Sequence, residues 1–333
     1  MASRTIPLIV SRRFHDRHGS ALAGAARAAG LELEALVLPA DPEGRLGDGE
    51  AARAEVAFFS QDVYPTHSRQ FFSATRKAPG LKWMHVFNVG VDHPVYATVL
   101  ERGARLTTSA GSTAEPIAQT AIAGLLMLAR PFGRWLPAQR ARRWEPLRAD
   151  YPRDLPGQVA LILGLGQIGR EIARLAQSLG MRVIGVRRSP RRADDPVDEL
   201  HAPDVLDTLL ARADFLIVAC PLTPETRGLV DAARLARLPR GARVINVGRG
   251  EIVIEPDLIA ALQSGHVAGA YLDVFGQEPL PAESPLWSLP NVFVTPHNSA
   301  ASSGNEGRVI AIFLDNLRRY ARGEPLVNEI RAP

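Results

Sequence analysis

Short unbroken apolar runs alternate along this chain with longer stretches in which apolar residues recur at helical spacing, the pattern of strands buried on both faces and joined by helices. Residues 6–10 and 56–59, together with 83–87 around His85, predict the strands of a first αβ unit, with helices between them. Residues 112–130 are apolar with few polar interruptions, which predicts a long helix buried between domains or against a second subunit. Residues 131–156, rich in Arg, Trp and Pro, read as a loop. Further runs at 159–163, 182–186, 215–219, 244–247, 268–272 and 292–295 predict one parallel set of strands. A stretch of mixed character at 307–320 predicts a last helix that returns to the first domain, and no internal repeat is present.

The run 159–163 ends on Gly164, Gly166 and Gly169, and a helix follows with Ile172, Leu175, Ala176 and Leu179 at helical spacing and Gly180 as its stop. In a dinucleotide turn of this kind the first glycine allows the tight bend. The second lets the backbone approach a pyrophosphate, and the third lets helix and strand pack closely. The amides near Gln167 and Ile168 lie at the positive end of the helix dipole, where a pyrophosphate is favoured. The second strand decides which dinucleotide. An acidic residue about 20 positions on takes the ribose hydroxyls of NAD, whereas arginine accommodates a 2′-phosphate. Here the chain reads Val186, Arg187, Arg188, Ser189, with Arg191 and Arg192 close behind and no carboxylate before Asp194. This predicts NADP(H) in preference to NAD(H).

Composition adds bounds. At 333 residues, 46% of them hydrophobic, the chain is long enough for two domains and has the apolar content for a sizeable core. Its 39 basic and 35 acidic residues leave a formal charge of only +4, spread along the sequence, so a nucleic-acid partner is not expected. A single cysteine, Cys220, excludes an intramolecular disulfide and a cysteine-based metal site. His15 and His18 sit in a polar stretch without partner ligands, and no metal is expected. The apolar stretch near the N-terminus is too short for a signal peptide or a membrane span, so the expectation is a cytoplasmic protein without membrane association.

Three motifs near the ends of the later strands carry chemistry: NVGRG at 246–250, DVFGQEPLP at 273–281 and TPHNS at 295–299. Ligands of a doubly wound sheet sit outside the carboxyl ends of its strands, which makes Arg249, Asp273, Glu278 and His297 candidates to face one crevice. Hydride transfer between a nicotinamide and a 2-oxo or 2-hydroxy acid needs a proton donor and acceptor, for which histidine suits. It also needs a cation for the carboxylate, for which arginine suits. A carboxylate such as Glu278 beside His297 favours the imidazolium and fixes the ring's orientation.

With these motifs in this order, the chain resembles the D-isomer-specific 2-hydroxyacid dehydrogenase family over nearly its whole length. GLGQIG resembles the family's nucleotide turn, ADFLIVACPLTPETRGLV its second signature, and INVGRG, LDVFGQEPLP and VTPHNS its active-site run. The resemblance implies that Arg249 binds the substrate's carboxylate and carbonyl, that His297 is the acid/base held by Glu278, and that Asp273 holds the nicotinamide amide. It implies that Cys220 and Pro221, in ACPLT, and Val247 line the cofactor, Cys220 as a wall residue and not a nucleophile. NVGVDH, from Asn88 through Val89 and Gly90 to His93, resembles the loop whose backbone amides bind the substrate carboxylate. The fold implied is α/β: a doubly wound parallel-sheet (Rossmann) nucleotide domain, 105–298, inserted into a smaller flavodoxin-like substrate domain formed by 1–104 and 299–333. A homodimer crossing at the helix 112–130 is implied as well.

Arg187 stands where many NAD-using members have aspartate, a feature that resembles the glyoxylate and hydroxypyruvate reductase branch, and Gln119 follows Ala118 where the family usually has glutamate. The expected activity is NADPH-dependent reduction of a small 2-oxo acid to the D-2-hydroxy acid, or to glycolate from glyoxylate. Two other readings stay open on the residues: a dinucleotide-sensing, corepressor-like binding protein, and a dehydrogenase of formate or phosphite on the same scaffold.

Overall fold

In a computed structural model that describes residues 4–91 and 93–330, the chain separates into two compact units, Met1–Ser112 with Ser303–Pro333, and Thr113–Ser302. The strands of the first unit are β1 (Arg4–Val10), β2 (Leu31–Val37), β3 (Val56–Phe59), β4 (Trp83–Val86) and β5 (Arg105–Thr108). Those of the second are β6 (Val159–Leu163), β7 (Arg182–Val186), β8 (Glu199–His201), β9 (Phe215–Val218), β10 (Ala242–Asn246), β11 (Val267–Leu272) and β12 (Val292–Val294), after which β13 (Glu329–Ile330) rejoins the first sheet. Among the described residues no helix is long and apolar enough to cross a membrane.

The first sheet has the order β13-β5-β4-β3-β1-β2, parallel except for β13 on β5. Its core is the flavodoxin-like 2-1-3-4-5 arrangement. The helix Asn305–Arg322 belongs to this unit, as its sequence position predicts: Phe313 stacks on Phe58 with centroids 4.4 Å apart and lies 5.3 Å from Trp83. Truncating a buried ring of this size costs about 3–5 kcal/mol, so the returning helix is part of the core. β2 escapes the apolar-run reading because it lies at the sheet margin and alternates Leu31 and Leu33 with Glu32 and Glu34.

The second sheet is wholly parallel, in the order β12-β11-β10-β9-β6-β7-β8. Strand order reverses between β6 and β9, the switch point at which doubly wound folds bind ligands. The long helix lies where the sequence predicts it, whereas the reading of the segment after it needs correction. The apolar stretch forms the helix Ala114–Ala129, and its buried residues Ala118, Ala121 and Leu125 pack into the second unit's own core with Ile162, Ile172 and Tyr271. Leu126 on the same helix stays 37% exposed. Within the presumed loop 131–156 lies the helix Phe132–Arg140. Pro137 inside it and a single buried residue, Ala138, removed the apolar period that would have announced it. Gln119, the departure noted on the first of these helices, donates to Glu115 Oε1 at 3.0 Å, an exposed i,i+4 pair.

A polar chain runs through the first unit's core. Trp83 Nε1 donates to Thr107 Oγ1 (2.8 Å), which lies 2.7 Å from His85 Nδ1; His85 Nε2 is 3.0 Å from Ser109 Oγ, which donates to Val86 O. These donors and acceptors are all satisfied when His85 is neutral with its proton on Nε2. Burial pushes the His85 pKa down from 6.5 to about 3. Above pH 6.5 the ring is neutral whether folded or not and contributes no pH dependence. As pH falls from 6.5 toward about 3 the unfolded chain takes up a proton that the folded chain refuses, so stability falls, by about 1.4 kcal/mol per pH unit once well below 6.5. Denaturant melts from pH 7 to pH 5 are expected to show this loss, and His85→Gln to flatten it; an equally steep profile in the variant would remove His85 as its source.

Candidate active site and dinucleotide site

The glycine turn after β6 is built as its sequence demands. Gly164 has φ +92°, and a Cβ there would lie 2.5 Å from Cys220 Cα; one on Gly169 would lie 2.0 Å from Gly164 O. Neither position has room for a side chain. Gly166, by contrast, has no atom within 4 Å of where its Cβ would be. It is the N-cap of the helix Gln167–Ser178 and contributes no side-chain cap. No side chain therefore crowds the backbone at the start of this helix, the arrangement that suits a pyrophosphate.

That space is a cavity of about 770 Å³ at the carboxyl ends of β6, β7 and β9, lined among others by Gly164, Gly166, Gln167, Arg187, Arg188, Ser189, Cys220 and Pro221. Its size is that of a ligand pocket, and the open Gly166 fits the phosphates of a dinucleotide. Four other residues expected to touch the cofactor are not on this lining. Ile168 and Gly169 turn into the core, Val247 is buried behind the end of β10, and Asp273 lies at the end of β11. Burial pushes the Cys220 thiol up to about 11, so it is protonated at neutral pH and suits a wall, not a nucleophile.

The arginines at the end of β7 do not behave alike. Arg187 closes a two-pronged pair on Asp195, with Nη1 to Oδ1 at 2.9 Å and Nη2 to Oδ2 at 2.6 Å. Arg188 and Arg192 line the cavity and form no side-chain ion pair among the described residues. Asp195 went unread in the sequence because nothing in its spacing shows which donors fold back on it.

The other strand ends carry the candidate chemistry. After β10, Asn246 braces the Arg249 turn from both sides: its Nδ2 donates to Arg249 O and its Oδ1 accepts from Gly248 N, each at 3.0 Å. The next residue, Gly250, packs so closely that a Cβ would lie 1.9 Å from Phe275 C, which brings the Arg249 turn onto the segment leading to Glu278. After β12, His297 adopts a left-handed backbone with φ 49°. Its Nδ1 is 2.7 Å from Glu278 Oε2, and Glu278 Oε1 accepts from Phe275 N at 3.0 Å. An ionised carboxylate only accepts, so Nδ1 carries the proton and Nε2 is left to exchange one.

Asp273 is 1% exposed, and its carboxylate serves the turn that carries His297. It accepts from Thr295 Oγ1 (2.6 Å), Asn298 N (3.0 Å), Ser299 N (3.2 Å) and Ser299 Oγ, while its carbonyl accepts from His297 N (2.8 Å). Tyr271 OH adds a contact to Thr295 Oγ1 at 2.6 Å. The motif TPHNS showed the histidine; this network of hydroxyls and amides was hidden in its Thr, Asn and Ser, which read as ordinary turn residues.

In the first unit, the loop after β4 holds Asn88, whose Nδ2 donates to Tyr96 OH (2.8 Å) and to Gly90 O (3.3 Å) and whose buried Oδ1 has no partner among the described residues. Val89 is exposed. Asp92 of the expected NVGVDH loop lies outside the described residues, and His93 caps the helix Pro94–Glu101 by accepting from Val95 N at 3.2 Å.

Comparison with known proteins bears on these sites. Residues 122–299 match the family model described as D-isomer specific 2-hydroxyacid dehydrogenase, NAD binding domain. A hydroxypyruvate reductase from Blautia hydrogenotrophica is 30% identical over 289 residues, 85% of each chain. Among solved structures, a D-isomer specific 2-hydroxyacid dehydrogenase from Xanthobacter autotrophicus Py2 in complex with NADPH and MES superposes with a TM-score of 0.78 at 34% identity, covering 99% of this chain and 98% of that one. An NADPH-dependent glyoxylate/hydroxypyruvate reductase from Sinorhizobium meliloti, in complex with NADP and sulfate, gives a TM-score of 0.75 at 30% identity and 98% coverage of both.

Proposed function

Because the chain belongs to the D-isomer specific 2-hydroxyacid dehydrogenase family, we propose that it reduces a small 2-oxo acid of the glyoxylate or hydroxypyruvate type with NADPH, giving the D-2-hydroxy acid, or glycolate from glyoxylate. The observation that carries this reading is the His297–Glu278 pair at 2.7 Å, on the same sheet edge as an arginine-rimmed dinucleotide cavity. Relatives and structural neighbours that bear the glyoxylate and hydroxypyruvate reductase names support the substrate class.

In this reading the second unit holds the dinucleotide, with its pyrophosphate at Gly166 and Gln167 and its 2′-phosphate at the rim of Arg188, Ser189 and Arg192. The nicotinamide, when bound, supplies the hydride that goes to C2. His297 donates a proton from Nε2 to the carbonyl oxygen, and Glu278 steadies the ring through Nδ1. Arg249 pairs with the substrate's carboxylate and stabilises charge that develops on the oxygen. Asp273 keeps the His297 turn in place and is assigned the nicotinamide amide. Val247, Cys220 and Pro221 are assigned the wall beside it. Asn88, Val89 and Gly90 are assigned to the substrate's carboxylate through their backbone amides. The protein is assigned a cytoplasmic homodimer; exposed Leu126, Trp135, Trp144 and Tyr151 in one stretch support the pairing.

The test is oxidation of NADPH and NADH against glyoxylate, hydroxypyruvate, pyruvate, phenylpyruvate and 2-oxoisocaproate, with formate and phosphite run alongside the oxidised cofactors. kcat/KM is expected to favour NADPH by about tenfold or more, the effect of about 1.4 kcal/mol of phosphate recognition. A higher value with NADH would overturn the cofactor assignment. No turnover with any of these compounds, with NADPH still bound, would point to a dinucleotide sensor.

A further inference from the structure

Asp195 is a carboxylate with a side-chain exposure of 0%, placed at the end of an arginine-rich segment that borders the dinucleotide cavity. Four donors converge on it: Arg187 through both Nη atoms, Arg170 Nη1 from the helix Gln167–Ser178, and the backbone N–H of Arg192 at 2.7 Å. Its oxygens are thereby used up, so it cannot take ribose hydroxyls as an acidic residue in this region does in NAD sites. Arg187 is equally committed. Besides its fork to Asp195 it donates through Nε to Ser189 O (3.1 Å), through Nη1 to Leu165 O (3.4 Å) and through Nη2 to Pro190 O. Arg170 also donates to Asp194 Oδ2 (2.7 Å) and Asp194 O (2.9 Å). Two arginines and two aspartates thus neutralise one another inside the segment.

We propose that Asp195 is a positioning residue for cofactor choice: by folding Arg187 and the Arg192 amide inward it bends residues 187–195 so that Arg188 and Arg192 face the cavity as the cations for a 2′-phosphate. The inference rests on the NADPH reading above. It gives Arg187, the residue that stands at the deciding sequence position, the part of an internal strut. The fork geometry demands guanidinium, since an ammonium cannot donate in parallel to both oxygens and still reach three carbonyls.

Calorimetric titration separates the two claims, with 2′,5′-ADP and 5′-AMP as fragments that differ only by the 2′-phosphate and with NADPH and NADH as the full ligands. Wild-type protein that binds 2′,5′-ADP no better than 5′-AMP would overturn the NADPH reading and this inference with it. Given that preference, Asp195→Asn is expected to weaken 2′,5′-ADP and NADPH by about tenfold or more while 5′-AMP and NADH change by less than about twofold. Arg187→Lys is expected to follow the same pattern. Equal weakening of both ligand pairs would show a merely structural residue, and unchanged NADPH binding would show no role; either result overturns the proposal. Should Asp195→Asn not fold, the exposed Arg188→Ala/Arg192→Ala double variant decides: retained affinity for 2′,5′-ADP would overturn it.

Discussion

Replacing His297 by alanine is expected to lower kcat by about 10²- to 10⁴-fold, the usual contribution of a positioned acid/base, and to leave the Kd for NADPH near that of the wild type. The two effects separate because His297 is not on the lining of the dinucleotide cavity. Glu278→Gln is the informative companion. Glutamine has a single acceptor oxygen: turned toward His297 Nδ1 it keeps that bond, gives up the one from Phe275 N, and removes the negative charge beside the ring. A smaller loss than in His297→Ala is expected. Steady-state kinetics from pH 5.5 to 9 with NADPH, joined to equilibrium titration of the cofactor, measure both. Near-normal turnover in His297→Ala would remove it as the acid/base and, with it, the mechanism proposed here.

Gly250→Ala is expected to reduce kcat/KM by about 10²-fold, the order of loss that a 1 Å misplacement of a catalytic group produces, and to destabilise the protein by about 1–3 kcal/mol, as overpacking does. The added methyl would fall 1.9 Å from Phe275 C and 2.0 Å from its oxygen. These are backbone atoms, so no side chain can rotate away and the two segments must part. Arg249 precedes the glycine directly, and Glu278 is fastened to Phe275 N, so Arg249 and Glu278 move relative to each other, which the proposed mechanism needs them not to do. Thermal melts and kinetics on the same preparation test the pair of effects. Wild-type kcat/KM in a destabilised protein would mean that the two segments position nothing catalytic.

What the sequence disclosed and withheld follows from the range of the forces involved. Strands β3 and β6 are legible because the apolar run is unbroken, and β7 because four buried residues follow the exposed Arg182. β2 has one polar face, and β8 and β13 are three and two residues long, too short for any period. The glycine turn is legible because each glycine answers a local steric demand. The His297–Glu278 contact is foreshadowed because both residues fall in short motifs that follow β12 and β11. Arg187 shows the limit: its position was readable, but its partner Asp195 lies across a loop, and which arginine stays available is decided by tertiary contacts that no spacing records. Asp273 is similar. An acid after β11 is visible, whereas the donors that occupy it come from residues 295–299.

β12 is a three-residue strand on the sheet margin with no residue fully buried, a poor foundation for the turn that follows it. His297 is nevertheless held, because its amide and the amides and hydroxyls around it are bound to Asp273, at the end of the neighbouring strand β11. A left-handed backbone at a non-glycine residue costs about 1–3 kcal/mol, and these bonds offset it. His297 is thus moored to the interior of the sheet and not to the edge from which it emerges, so local fraying of that margin leaves its anchors in place.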